Sequence, residues 1–316
     1  MNVLITGAGL LGIHVAKCLA DRGAKVTIID IKPNELYCQM ILGDRRNSIV
    51  IQDGSILDES FLEFIIAKNN ISYVVHTAAL FDRQEHYCDD LLEVNLIGTE
   101  LLLKKSVQHR IRKFIFISTV SVYDFRKRPS AEVEEDYSTN PSSGCIYGAT
   151  KALGEALGDY FVKKHQLNFV SVRFCNLYGP NRPTEPQQKA IWQQVFDRAI
   201  GEGIINLHEP QLRKDQYLFV KDAAEAIKQI LTAKQLNHDI YNVASKELYT
   251  MEDFIRIAEQ NVAHLKVVGS EVSSAGYEYR MNCQRAIQDF GFNPLTTLEQ
   301  GFLIYRDFMT LSRHKG

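Results

Sequence analysis

The 316-residue sequence predicts an α/β fold: a doubly wound parallel sheet with a smaller C-terminal lobe. Three observations lead there. Short runs rich in β-branched residues recur along the first half of the chain, helix-periodic segments separate them, and a glycine-rich loop stands at the first strand-to-helix junction. Near-continuous apolar strands alternating with helices describe a parallel sheet covered on both faces.

The strand segments are NVLITG (2–7), KVTIID (25–30), SIVIQD (48–53), SYVVHTA (72–78), KFIFIST (113–119) and NFVSVRF (168–174). Of the links, LLGIHVAKCLADRG has apolar residues at 10, 11, 15 and 19 and closes on Gly23, placed as a C-cap. LLEVNLIGTELLLKKSVQ and GATKALGEALGDYFVKKH carry apolar stripes and gather Lys or His at their C-terminal ends, where the helix dipole favours cations. The alternation stops after about residue 176, at the Pro- and Gly-rich YGPNRPTEPQ. QYLFVKD and DIYNVAS then read as returns to the sheet. The expected division is residues 1–175 plus about 214–243 in the sheet domain, and about 176–213 plus 244–316 in the smaller lobe. Ligands of open α/β sheets bind beyond the carboxyl ends of the strands, so the cleft is expected there, between the lobes.

A formal net charge of -2 and a pI near 6.5 exclude a broad basic surface for nucleic acid. FRKRP (125–129) is followed by EVEED and reads as a solvated loop of mixed charge. No apolar run approaches the ~20 residues that span a bilayer, and the chain enters an apolar strand at once, without a basic leader. A cytoplasmic protein is the expectation. The six cysteines include no C-x-x-C pair and fit reduced thiols. The histidines include no H-x-x-x-H pair; His14 and His109 read as surface or packing residues of helices, so no metal is expected.

ITGAGLLG places Gly7, Gly9 and Gly12 as G-x-G-x-x-G directly between the first strand and the first helix. Gly7 suits the tight turn, Gly9 lets the backbone approach a pyrophosphate, and Gly12 lets the helix pack closely. Leu10 and Leu11 open the helix, whose N-terminus faces the anion. Asp30, roughly 20 positions on at the end of the second strand, completes a dinucleotide site. A carboxylate there accepts from the ribose hydroxyls and repels a 2′-phosphate, which favours NAD over NADP, although Lys32 nearby softens the preference. Asp53, with Gly54 after it, ends the third strand and is either an adenine contact or an ordinary Asp-Gly turn. Tyr147 and Lys151 in CIYGATK stand four apart at the head of a helix, so their side chains share one face.

Taken together, TGAGLLG, VVHTAA, VNLIGT, STVSVY, YGATK, RFCNLYGP and YNVAS resemble the extended short-chain dehydrogenase/reductase family, the NAD-dependent epimerase/dehydratase-like proteins. The resemblance covers nearly the whole chain in the family's order. It implies a Rossmann domain with a smaller C-terminal substrate-binding lobe, and a homodimer formed through two helices, one of which carries the Tyr and Lys. Carried over by position, Tyr147 looks like the catalytic tyrosine, Lys151 its partner and Thr119 the hydroxyl that bonds the reacting oxygen. The chemistry requires these types: a free phenol, with a pKa near 10, is a weak base at neutral pH, and a nearby cation favours its phenolate. The resemblance also implies cofactor contacts at Thr77, Ala78, Ala79, Asn95 and Cys175, with Asn95 equally suited to bracing the helix against the strand. Asn176 is implied as a substrate contact.

Three departures narrow the substrate. The glycine loop is one residue shorter than the family's usual T-G-x-x-G-x-x-G, which affects its shape more than its chemistry. Val120 and Ser121 stand where family dehydratases carry acidic residues, so dehydration is not expected. Asp215 occupies the place of an arginine that clamps the diphosphate in nucleotide-sugar members, Arg213 is two positions early, and 266–279 lacks a second arginine. Arg182 and Arg280 are the candidates to stand in. Because bidentate arginine is the strong way to hold phosphate, the expected activity is NAD-dependent hydride transfer at a secondary alcohol or ketone of a small polar or sugar-like compound. The alternatives are a nucleotide-sugar epimerase using the same Thr119, Tyr147 and Lys151, and a non-catalytic NAD-binding scaffold.

Overall fold

The computed structural model describes residues 1–81, 88–124, 132–140, 145–181, 190–201, 203–207, 214–262, 265–269 and 279–315. The N-terminal half runs β1 (Asn2–Thr6), α1 (Leu10–Ala20), β2 (Lys25–Asp30), α2 (Glu35–Leu42), β3 (Val50–Asp53), α3 (Glu59–Lys68) and β4 (Tyr73–His76). It continues through α4 (Cys88–Leu92), a π-helical turn (Glu93–Ile97), α5 (Gly98–Gln108), β5 (Lys113–Thr119), β6 (Glu132–Val133), α6 (Ile146–His165) and β7 (Phe169–Phe174). The remainder is β8 (Asn176–Tyr178), α7 (Ile191–Gly201), β9 (Ile204–Leu207), β10 (Asp215–Phe219), α8 (Val220–Thr232), β11 (Ile240–Val243), β12 (Leu248–Tyr249), α9 (Met251–Asn261), β13 (Lys266–Gly269), β14 (Arg280–Met281), α10 (Gln284–Phe290) and α11 (Leu298–Lys315).

Seven strands form one sheet in the order β11-β7-β5-β4-β1-β2-β3, every pair parallel. The order reverses between β1 and β4, which opens a crevice at the strands' carboxyl ends. Alternate residues of each strand feed opposite layers, as the period of two dictates. Val3, Ile5, Val26 and Ile28 pack with α1, α2 and α8, whereas Leu4, Ile29, Val74 and Phe116 pack with α3, α5 and α6. Helix α6 approaches the sheet closely because a methyl at Gly154 or Gly158 would stand 2.4 Å from the Phe116 ring or 2.1 Å from the Phe169 ring.

The reading of QYLFVKD as a return to this sheet is corrected by the strand pairing. β10 pairs with β8 in parallel and with β12 in antiparallel fashion, forming a separate three-stranded sheet, and only β11 rejoins the main one. Its alternation explains the misreading. Tyr217 and Phe219 face a second core with Trp192, Phe196, Phe254, Phe302 and Tyr305, while Leu218 and Val220 face the sheet-side core. A strand shared by two cores is apolar throughout, like a central strand.

One charged pair lies inside the apolar frame. Arg173 of β7 meets Glu155 of α6 through two bonds of 2.9 and 2.6 Å, and its remaining terminal nitrogen donates to the Glu135 carbonyl at 2.7 Å. Both side chains are buried, and Ser171 donates to Glu155 as well. Removing one partner of such a pair leaves a charge stranded in low dielectric, which costs roughly 3–5 kcal/mol. Glu155→Ala is therefore expected to destabilise the fold by about that amount in urea denaturation, and Glu155→Leu combined with Arg173→Met by clearly less.

Candidate active site

The glycine loop is built as its sequence requires. Gly7 adopts φ +89°, a conformation that suits glycine, and its amide bonds the Ile29 carbonyl at 2.7 Å. A methyl at Gly12 would stand 2.0 Å from the Gly7 carbonyl oxygen and 2.8 Å from Thr77 Oγ1, so α1 and the loop tolerate no side chain there. At Gly9, by contrast, an added methyl meets nothing within 4 Å, which leaves open space over the loop. The amides of Leu10, Leu11 and Gly12 precede the first helical bond, made by Ile13 to the Gly9 carbonyl at 3.2 Å, so the helix itself gives them no acceptor.

Asp30 closes the loop. Its two carboxylate oxygens accept from the amides of Ala8 (2.7 Å) and Lys32 (2.9 Å), which fixes the carboxylate beside the open space while leaving lone pairs on each oxygen. Asp53 lies beside Asp30 in the β2–β3 register and is exposed. Gly54 is needed for packing, since a methyl there would stand 2.1 Å from the Phe61 ring. At the end of β4, Thr77 donates to the Thr6 carbonyl (2.6 Å) and Ala78 NH donates to Thr6 Oγ1 (3.2 Å). The Thr77 hydroxyl is thus tied to the loop, and Ala78 and Ala79 present half-buried backbone at its side.

Asn95 sits in the π-helical turn, and its side chain is taken up by the protein. It accepts from Leu80 NH (2.8 Å) and donates to the Leu80 carbonyl (2.9 Å) and to Thr150 Oγ1 (3.1 Å). Of its two expected roles, the geometry displays the brace. Cys175 is buried between β7 and β8, its thiol pushed up by that burial, and Asn176 donates to the Gln216 carbonyl at 3.3 Å.

Thr119 ends β5 and caps the 3₁₀ turn Val120–Val122 by accepting from Ser121 NH at 3.2 Å. Helix α6 begins with Cys145 as its N-cap, the thiol accepting from Gly148 NH at 3.3 Å. A methyl at Gly148 would stand 2.5 Å from the Ser121 carbonyl oxygen, so the turn of α6 that carries Tyr147 presses directly on the turn that follows Thr119. Phe81 meets the Tyr147 ring edge-on, with centroids 4.9 Å apart.

Lys151 is 2% exposed, and among the described residues its ammonium has neither a hydrogen bond nor an ion pair. It lies 4.8 Å from the Phe116 ring centroid and 5.8 Å from that of Tyr147. Burial pulls Lys151 down to about 7, with the Glu155 carboxylate pulling the other way. Burial likewise pushes the Tyr147 phenol up from its ordinary value, and the Cys145 thiol adds to the rise. In the cofactor-free chain burial therefore sets the Tyr147 pKa, and the acidification expected of a nearby cation concerns the site with the nicotinamide charge in place. Desolvation of phenolate dominates, and the neighbouring cation is itself held back by burial.

A buried ammonium without an acceptor among the described residues, a loop with open space above Gly9 and a carboxylate fixed beside it fit a bound dinucleotide. Against the family models, residues 3–244 match the NAD dependent epimerase/dehydratase family. The chain belongs to that family. It is therefore an enzyme of the NAD-dependent extended short-chain dehydrogenase/reductase class. It is similar to the dTDP-glucose 4,6-dehydratase of Streptomyces niveus, 26% identical over 318 residues that cover 96% of this chain and 91% of the relative. With the dTDP-D-glucose 4,6-dehydratase of Dictyostelium discoideum it is 26% identical over 263 residues, 77% of this chain but only 58% of the relative. The crystal structure of UDP-glucose 4-epimerase from Thermotoga maritima with UDP-glucose shares the fold, with a TM-score of 0.85 at 21% identity over 99% of this chain and all of that one.

Sequence reading missed Phe81 as a neighbour of Tyr147, and the polar side chains of Thr6, His76, Thr99 and Thr150 that lie beneath the site. A histidine inside the apolar run YVVH was the available signal. Arg182 and Arg213 lie outside the described residues, as does FRKRP. Arg280 is half-buried and lines a cavity of about 230 Å³ with Lys246, Glu132 and Asn282.

Two outcomes follow. Gly12→Ala is expected to abolish NAD binding in calorimetry and to lower thermal stability, because the clash is with backbone. The second concerns pH. The folded pKa of Lys151 lies below its unfolded value, so at this group the unfolded chain binds more protons and the Lys151 contribution to stability rises with pH. Without NAD, Lys151→Met is expected to exceed wild type in unfolding free energy at pH 6. That advantage should shrink by up to about 1.4 kcal/mol per pH unit between about pH 7 and 10, as followed by urea titrations.

Proposed function

We propose that this family member interconverts a secondary alcohol and a ketone on a sugar or sugar-like substrate, with Tyr147 moving the proton of the reacting oxygen. The observation that carries this reading is the buried Lys151 ammonium, without an acceptor among the described residues, one helical turn from Tyr147 on a helix whose first turn abuts the Thr119 turn. Bound NAD would supply or accept the hydride. In this reading Gly7, Gly9, Leu10, Leu11 and Gly12 hold its pyrophosphate, Asp30 the adenosine ribose and Lys151 the nicotinamide ribose. Asp53, Thr77, Ala78, Ala79 and Cys175 frame the remainder, and the lobe formed by 176–213 and 244–316 contacts the substrate.

Tyr147 starts as the protonated phenol, because burial raises its pKa. It is thus ready to donate to a carbonyl oxygen that becomes an alkoxide. In the opposite direction it accepts the carbinol proton, which requires phenolate and hence a positive charge nearby. Thr119 holds the same oxygen in line. Dehydration is disfavoured: Val120 is buried and apolar, and the Thr119 hydroxyl donates to Ser121 Oγ at 3.4 Å, so neither Val120 nor Ser121 offers a carboxylate to remove a carbon-bound proton.

The second reading, a nucleotide-sugar epimerase, is favoured by the relatives' named activities. Against it stands Asp215, which opens β10 where the family's diphosphate-clamping arginine is expected. Incubating the protein with NAD and either UDP-glucose, dTDP-glucose or unactivated sugars separates the two. Accumulating NADH supports the first reading, whereas an isomerised nucleotide sugar with no net NADH supports the second. A 4-keto-6-deoxy product contradicts both. In whichever assay turns over, Tyr147→Phe is expected to lower kcat at least 100-fold while leaving NAD affinity within about threefold.

A cytoplasmic homodimer completes the proposal. Leu153 and Tyr160 on α6 and Ile97 beside α5 are 44%, 55% and 49% exposed, which supplies apolar surface on the helices expected to pair.

A further inference from the structure

A continuous line of hydrogen bonds runs beneath the candidate site, from the end of β4 to the turn that carries Tyr147. Ala78 NH donates to Thr6 Oγ1 at 3.2 Å, and Thr6 Oγ1 lies 2.7 Å from His76 Nδ1. His76 Nε2 lies 2.9 Å from Thr99 Oγ1, which donates to the Asn95 carbonyl at 2.7 Å. Asn95 Nδ2 donates to Thr150 Oγ1 at 3.1 Å, and Thr150 donates to the Tyr147 carbonyl at 2.8 Å. Thr6, His76, Thr99, Asn95 and Thr150 are all buried, between 0% and 2% exposed.

The direction of each bond is fixed by its neighbours. Thr99 spends its only proton on the Asn95 carbonyl, so it accepts from His76, and Nε2 carries the hydrogen. Thr6 Oγ1 receives the Ala78 amide and gives its own proton to His76 Nδ1. A neutral imidazole therefore satisfies both hydroxyls at once. The protonated ring would carry a hydrogen on Nδ1, which removes the acceptor of the Thr6 proton, and would place a second cation close to Lys151. Burial holds His76 down to about 3, with Lys151 adding to the effect. Phe114 and Phe116 enclose the ring, with centroids 6.0 and 5.9 Å away, and Lys151 lies over the same Phe116. No apolar residue could make these links.

We infer that His76 is a positioning residue: its neutral ring joins the glycine-loop end of the sheet to the first turn of α6 through Thr99, Asn95 and Thr150, and so sets where Tyr147 stands. This rests on the reading of Tyr147 as the proton-transfer group only for its consequence in catalysis; the coupling itself is a property of the cofactor-free protein. Neither end of the line is adjustable alone. Thr6 leads into Gly7, whose carbonyl leaves no room at Gly12, and Asn95 also grips Leu80, beside the Phe81 that meets Tyr147.

The test uses the full chain without ligand, labelled with tyrosine carrying carbon-13 at Cζ, with the Tyr147 signal assigned by its loss in Tyr147→Phe. His76→Leu and the near-isosteric Thr99→Val are each expected to shift the Tyr147 resonance, and the double variant to shift it no further, because both cut one line. His76→Gln, whose amide can accept from Thr6 and donate to Thr99, is expected to return the signal toward wild type. Tyr305, in the second core, should stay in place throughout. A Tyr147 signal unmoved in Thr99→Val, or tyrosines that all move alike, would overturn the inference; Thr99→Val decides the matter even if His76→Leu does not fold. Turnover of Tyr147→Phe judges the proposed function separately. An active Tyr147→Phe sinks that reading without touching the coupling, and an unmoved signal sinks the coupling without touching the reading.

Discussion

An ammonium held in an apolar interior, without an acceptor among the described residues, is the feature on which the site depends. Lys151 is buried above Phe116, and the carboxylate of Glu155, one turn further along α6, is engaged by Arg173. Stranding a cation in this way is costly unless a partner arrives. The arrangement thus stores a binding preference, since any ligand that brings hydroxyl or other oxygen acceptors to Lys151 relieves the cost. Close packing keeps the ammonium there. Gly154 and Gly158 let α6 lie against Phe116 and Phe169, so the first turn of the helix is set by the sheet.

The same packing joins fold and chemistry. The parallel sheet places the ends of β1, β4 and β5 side by side, which brings the glycine loop, the Ala78–Ala79 backbone and Thr119 to one edge. The Gly148 contact with the Ser121 carbonyl then brings in α6. Electrostatics follows from burial more than from pairing. Tyr147 is pushed toward its neutral form and Lys151 toward its own, so the cofactor-free site is poised with less charge than the isolated groups would carry.

Much of this was legible in the sequence because local rules govern it. Near-continuous apolar runs rich in β-branched residues marked six strands of the main sheet, and G-x-G-x-x-G with Asp30 marked the loop that the structure closes through the Asp30–Ala8 bond. Two features were not legible, and for one reason: each is settled by partners distant in sequence. β10 looks like a main-sheet strand because it serves two cores. His76 and Arg173 look like interruptions in apolar runs until Thr99 and Glu155, 23 and 18 residues away, supply their bonds. The burial that raises the Tyr147 pKa in the cofactor-free chain was not legible either, because a sequence shows which charges are near but not how dry their surroundings are.

The central claim is that Lys151 is a desolvated cation that bound cofactor would satisfy. Its direct test is the titration of Lys151 itself, by carbon-13 NMR of lysine labelled at Cε, with and without saturating NAD. The account predicts a pKa of about 7 in the free protein, rising when NAD is bound. A Lys151 that titrates near the ordinary lysine value of about 10.4 and does not respond to NAD would contradict it.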